Sequence, residues 1–191
     1  MASKIAIIII PSQGKHYKMF DGVAREVNNK IYHGRAEVIK TRVSLSDTSP
    51  ATVRYLTAKG SPFSWSHAHH ITTVLTISHG YRFDGPNLAY GREDERYQVW
   101  GVNERTGELN DAGKKFWGKK VKNVLKSDGK IILVGCLMGA GNYARNVARE
   151  AGVKVYASKT MFAAADVAIV MKHVKAIEEG KEIEPMVVAN P

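Results

Sequence analysis

Short apolar runs alternate along this chain with longer stretches of helical spacing, and that rhythm constrains the fold more than any other feature. Runs of four to nine residues bounded by turn residues suit buried strands, and the helical stretches suit crossovers between parallel neighbours. The predicted strands are Ile5 to Ile10, Ala36 to Ser44, Ile71 to Ser78, Lys130 to Gly135, Val153 to Ala157 and Met186 to Ala189. The predicted helices are His16 to Asn28, Ser49 to Lys59, Asp111 to Lys126, Asn142 to Ala151 and Ala163 to Glu179, with Gly152 and Gly180 as stops. The fold class is therefore α/β with a mostly parallel central sheet. Only Tyr81 to Asn110 breaks the rhythm. Its glycines, charges and YQVWGVNERTGELN read as an insertion over one edge, with a hairpin turning at Glu104 to Gly107. As an exposed segment it is expected to be protease-sensitive and a candidate for self-cleavage.

A length of 191 residues suits a single domain that buries its own core. The only cysteine, Cys136, has no internal partner, which favours a reducing, cytoplasmic compartment and leaves signal-less export open. Ile5 to Ile10 is too short for a signal peptide or a membrane span, so no membrane span is expected. The net charge of +10 should attract anions, among them nucleic acid, polyphosphates, acidic lipids or an acidic partner.

Two predicted strands end in reactive groups. TTVLTIS runs into His79 and Gly80, and KIILVG runs into Cys136, 57 positions later. Open parallel sheets bind ligands beyond the carboxyl ends of their strands, so neighbouring strands would deliver an imidazole and a thiol to one edge. That pair suits acyl transfer: a thiolate attacks a carbonyl carbon, an imidazole protonates the leaving amine, and backbone N–H groups of Gly80 and Cys136 hold the oxyanion. A helix opening at Asn142 would point its positive end toward the thiol.

The blocks TVLTISHG and IILVGC resemble the His-Gly and Gly-Cys blocks of the caspase-like cysteine peptidases of clan CD. The stretch GCLMGAGNYARNVAREAGVKVYAS is similar to the clostripain branch and to bacterial domains of the same type, and the resemblance spans roughly Ile71 to Asp166. It implies a caspase-like three-layer sandwich, a dyad of His79 and Cys136 with the Gly80 amide in the oxyanion hole, a protein or peptide substrate and no cofactor. An inactive relative that keeps the fold is the alternative within the family. Clostripain-like enzymes carry an acid two positions before the nucleophile, where this chain has Val134. A basic residue at the cleavage position would lack its partner unless Asp84 replaced it. The wall formed by Ala157, Ser158, Lys159 and Thr160 implies an uncharged or acidic residue there, with Lys159 as partner of an acid.

Other patterns carry rival readings. Gly139, Gly141 and Ala144 match the G-x-G-x-x-A of dinucleotide-binding turns, although Cys136 to Met138 intervene after the strand and no acid closes the next one. His67, His69 and His70 form HAHH without a neighbouring cysteine or carboxylate cluster, so they read as a loop and no metal site is assigned. Lys115, Lys119, Lys122 and Lys126 would share one face of a continuous helix. That stripe is a solvated face or an anion site. The anion could be an activator, and the same stripe would serve a nucleic-acid-binding or acidic-protein-binding module without catalysis.

Overall fold

Ala6–Pro11 forms β1 with every residue buried, which requires helices on both faces of the strand. The computed structural model describes residues 4–11, 17–41, 70–81, 85–86 and 108–191. After β1 come α1 (Tyr17–Lys30), β2 (Ala36–Thr41) and β3 (Ile71–Ile77), then a two-residue antiparallel ribbon of β4 (Gly80–Tyr81) and β5 (Gly85–Pro86). The second half runs α2 (Asp111–Lys115), a π-helical turn (Phe116–Val121), α3 (Lys122–Val124), β6 (Leu125–Val134) and α4 (Tyr143–Ala151). It closes with β7 (Lys154–Ser158), α5 (Val167–Glu178) and β8 (Met186–Ala189).

Six strands form one sheet in the order β2-β1-β3-β6-β7-β8. The first five are mutually parallel and β8 alone runs antiparallel to β7. Side chains of alternate strand positions separate into two cores. Ile8, Ile10, Leu75, Ile77, Ile132 and Val134 pack with Phe20 and Val23 of α1 and Val170 and Val174 of α5. Ile7, Ile9, Val74, Ile131 and Leu133 pack with Phe116, Trp117 and Val121 of the π turn and Tyr143 and Val147 of α4. The chain is thus α/β, with a mostly parallel sheet between two helical layers.

The structure changes several expected boundaries. Helix α5 begins at Val167 rather than Ala163, because the Asp166 side chain accepts a hydrogen bond from the Ile169 N–H at 3.0 Å and caps it there. The helix expected over Asp111 to Lys126 stops at Val124, since Leu125 takes extended dihedrals and opens β6. Lys126 therefore lies on a strand, and the four-lysine helical stripe is not formed. The π turn disturbs the spacing further, by burying the adjacent Phe116 and Trp117 together. In β6, residues 126–129 bulge out between the pairs Ile71–Leu125 and Thr73–Lys130. A side chain at Gly129 would stand 2.9 Å from the Lys126 carbonyl oxygen, so glycine permits that bulge. The expected helix over 49–59, the strand end at 42–44, the hairpin at 104–107, and Asp84, His67 and His69 lie outside the described residues. Of the insertion, the ribbon after His79 and residues 108–110 are described, with Leu109 buried in the α4-side core.

Candidate functional site

β3 and β6, distant in sequence, are adjacent in the sheet and parallel. Ile77 pairs with Val134, and the Ser78 N–H donates to the Val134 carbonyl at 3.1 Å, carrying the ladder one residue past β3. His79 and Cys136 each lie two positions beyond that last pair. Both therefore lie just past the carboxyl ends of neighbouring strands, the edge where open sheets of this kind place ligands. Ile77 and Val134, the last paired residues, point into the α1 and α5 layer, and the residues that touch His79 and Cys136 belong to that layer too.

Contacts bear this out. The His79 ring is half-buried and meets the ring of Phe20 on α1 edge to face, with centroids 5.1 Å apart. The partly buried Cys136 sulfur accepts from the Phe162 N–H at 3.3 Å and donates to the Phe162 carbonyl at 3.2 Å. Phe162 belongs to the segment between β7 and α5, and its own ring packs edge to face on His173 with centroids 4.9 Å apart. His173 is held between the carbonyls of Ile169 at 2.7 Å and Glu184 at 3.0 Å. Neither Phe20 nor Phe162 is conspicuous in the sequence. Phe20 reads only as one apolar position on a helix face, and Phe162 carries no local signal.

The turn after Cys136 is built against β7. Leu137 adopts φ 57°, a left-handed conformation uncommon outside glycine, and its N–H donates to the Thr160 carbonyl at 2.9 Å. The Gly139 N–H donates to the Ser158 carbonyl at 2.8 Å and the Ala140 N–H to Leu137 at 3.0 Å. A Cβ on Gly139 would lie 2.7 Å from the Ala157 carbonyl oxygen, so this glycine serves close backbone approach. Two amides of the G-x-G-x-x-A stretch, those of Gly139 and Ala140, are thus used within the protein. By contrast, among the described residues the Cys136 N–H makes no hydrogen bond, as an oxyanion donor requires. Gly80 opens β4 directly after the histidine.

The expected cleft residues are placed unequally. Val134 is fully buried in the α1 and α5 core. Ser158 is buried, with its hydroxyl donating to the Thr160 carbonyl at 3.1 Å and accepting from the Thr160 N–H at 3.3 Å. Lys159 and Thr160 are exposed at the end of β7. Helix α4 starts seven residues past Cys136 with no acid in its first turn, but the bonds made by the sulfur are to Phe162. Lys115 and Lys119 are exposed beside a cavity of about 420 Å³, which Asp111 and Glu150 also line, so its charge is mixed. Lys122 is exposed near Gly152. Among the described residues no three His, Cys, Asp or Glu side chains gather as a metal site, and no helix is long and apolar enough to cross a membrane.

Comparison with protein-family models, with curated proteins and with solved structures found no match.

Proposed function

We propose that this chain is a cysteine endopeptidase of caspase-like type, acting through a dyad of Cys136 and His79. The observation that carries the reading is the parallel pairing of β3 with β6, because His79 and Cys136 follow the carboxyl ends of these two neighbouring strands. The left-handed Leu137 behind the nucleophile supports it, as does the Cys136 N–H, which has no hydrogen bond among the described residues.

In this reading the Cys136 thiol leaves the Phe162 carbonyl and gives its proton to His79. The sulfur then attacks the scissile carbonyl carbon, while the Cys136 N–H, with that of Gly80, takes the developing oxyanion. Collapse breaks the C–N bond as the imidazolium protonates the departing amine, leaving a thioester. Water, deprotonated by His79, hydrolyses that thioester, releases the carboxylic acid and restores the thiol. Phe20 backs the imidazole and fixes its plane. Buried Val134 offers no charge to a basic substrate residue, and exposed Lys159 would repel one, so an uncharged or acidic residue is expected at the cleavage position.

The test is covalent labelling with electrophilic peptide probes spanning varied cleavage residues, read by intact mass and peptide mapping. Modification at Cys136 that disappears in His79→Ala is expected. A folded protein that no probe modifies would sink the reading.

A further inference from the structure

Five large hydrophobic side chains are exposed among the described residues: Met19, Met161, Val167, Ile169 and Val188. Val188 lies on the edge strand β8, and the other four share the carboxyl edge of the sheet on the α1 and α5 side. Helix α1 starts at that edge because β1 ends there, and Met19 is in its first turn. Helix α5 follows β7 in the same sense, with Val167 and Ile169 in its first turn. This is the face on which Phe20 meets His79 and Phe162 meets Cys136.

Two of the four are chain neighbours of residues that touch the dyad. Met161 precedes Phe162, whose N–H lies 3.3 Å from the Cys136 sulfur, so the Met161 Cα stands within about 6 Å of that sulfur. Its side chain is nevertheless 75% exposed. Met19 precedes Phe20, which backs the His79 ring, and is 49% exposed. A chain of net charge +10 has charged residues enough to cover such positions, and exposed apolar side chains that share one edge mark a binding surface. Methionine adapts to varied apolar partners.

Resting on the peptidase reading, we infer that this surface selects extended peptides with an unbranched or bulky apolar residue on each side of the scissile bond. The acyl-side residue lies against Met161, with Val167 and Ile169 beyond it. The amine-side residue lies against Met19, because the leaving nitrogen must reach His79 and Met19 adjoins Phe20, which packs on that histidine. Exposed Lys18 and Lys159 border the surface and disfavour basic residues at both positions.

The test separates binding from chemistry. Fluorescein-labelled decapeptides of Gly, Ser and Ala, with two central residues replaced by Leu, Ser or Lys, are titrated into the full chain carrying Cys136→Ala and followed by polarisation. The Leu peptide should bind about tenfold more tightly than the Ser peptide, a difference of about 1.4 kcal/mol, and the Lys peptide most weakly. Adding Met161→Ser, in protein of unchanged circular dichroism, should remove that advantage. With single-Leu peptides cut by the Cys136 protein, Met161→Ser should lower kcat/KM only for acyl-side Leu and Met19→Ser only for amine-side Leu. Equal binding of the three peptides, or a Leu advantage that survives Met161→Ser, overturns the inference. Sedimentation as a dimer that Met161→Lys converts to monomer also overturns it, since a second copy would then be the occupant. A Leu peptide bound selectively but never cut leaves the surface standing and removes the peptidase reading; cutting without apolar preference does the reverse.

Discussion

At the residue scale the dyad is expected to behave as one unit. Cys136→Ala and His79→Ala should each abolish peptide hydrolysis while the circular dichroism spectrum is retained, because both residues lie beyond the strand ends rather than within the ladder. The double variant should be scarcely worse than either single one, since each removes the same acyl-enzyme route. Turnover by Cys136→Ala above vector-control preparations would count against the mechanism. Gly139 is the second sensitive position. A methyl group there would meet the Ala157 carbonyl at 2.7 Å and a Val187 methyl at 2.8 Å, so the turn carrying Cys136 would have to lift off β7. Gly139→Ala should cost about 1 to 3 kcal/mol in urea unfolding and slow the alkylation of Cys136. A variant as stable as wild type would show that the turn does not need this close approach.

Among the elements, α5 is tied to the sheet by one carboxylate at the end remote from Cys136. Glu178 accepts from the Tyr32 hydroxyl at 2.8 Å and the Thr73 hydroxyl at 2.7 Å, and its other oxygen pairs with Lys130 at 3.0 Å. Thr73 and Tyr32 are buried, and the two charged side chains are only about a fifth exposed. Glu178→Ala should therefore lower stability by about 2 to 3 kcal/mol, because two buried hydroxyls lose their acceptor and Lys130 keeps, among the described residues, only the Ile177 carbonyl at 3.4 Å. Glu178→Gln keeps one acceptor oxygen for the two hydroxyls and should cost less. Chemical denaturation of the pair measures the difference; equal losses would mean that the charge carries the whole contribution and the neutral acceptor none. Because α5 also carries Asp166, Val167 and Ile169 at the other end, slackening it should loosen the Phe162 contact with Cys136.

For the whole molecule, buried phenols dominate the alkaline response. Burial, then the Glu178 charge, holds the Tyr32 phenol well above its usual range, and burial does the same for Tyr143. Both folded values lie above the unfolded one, so their stabilising contribution is complete below about pH 10. It is lost as pH rises further, when only the unfolded chain ionises. Tyr143→Phe leaves the Trp117 N–H without its 3.1 Å acceptor and should reduce stability at pH 7. It should also reduce the slope of the alkaline limb by about 1.4 kcal/mol per pH unit. An unchanged slope would contradict the assignment. On the acid side, burial pushes the Asp21 carboxyl up, but Lys40 at 2.9 Å and Arg25 at 2.7 Å outweigh it and hold it below its usual value. That contribution is present above about pH 4 and disappears as pH falls through the folded value. Asp21→Asn should therefore flatten thermal stability between pH 4 and 2, and a retained acid slope would assign it to other carboxylates.

Periodicity is local, so the sequence alone determined the strand runs, most helix spans, and which of them end in His79 and Cys136. It had no means of setting Lys126 on a strand, since the Leu125 bend and the burial of both Phe116 and Trp117 answer to packing against β3 and α4. Nor did any local pattern link Cys136 with Phe162, 26 residues away, or give Gly139 its reason in the Ala157 carbonyl. Only the tertiary structure decided that β3 and β6 are neighbours. Pairing between segments so far apart depends on which apolar faces the whole chain can bury at once, a property that no stretch of the sequence carries by itself.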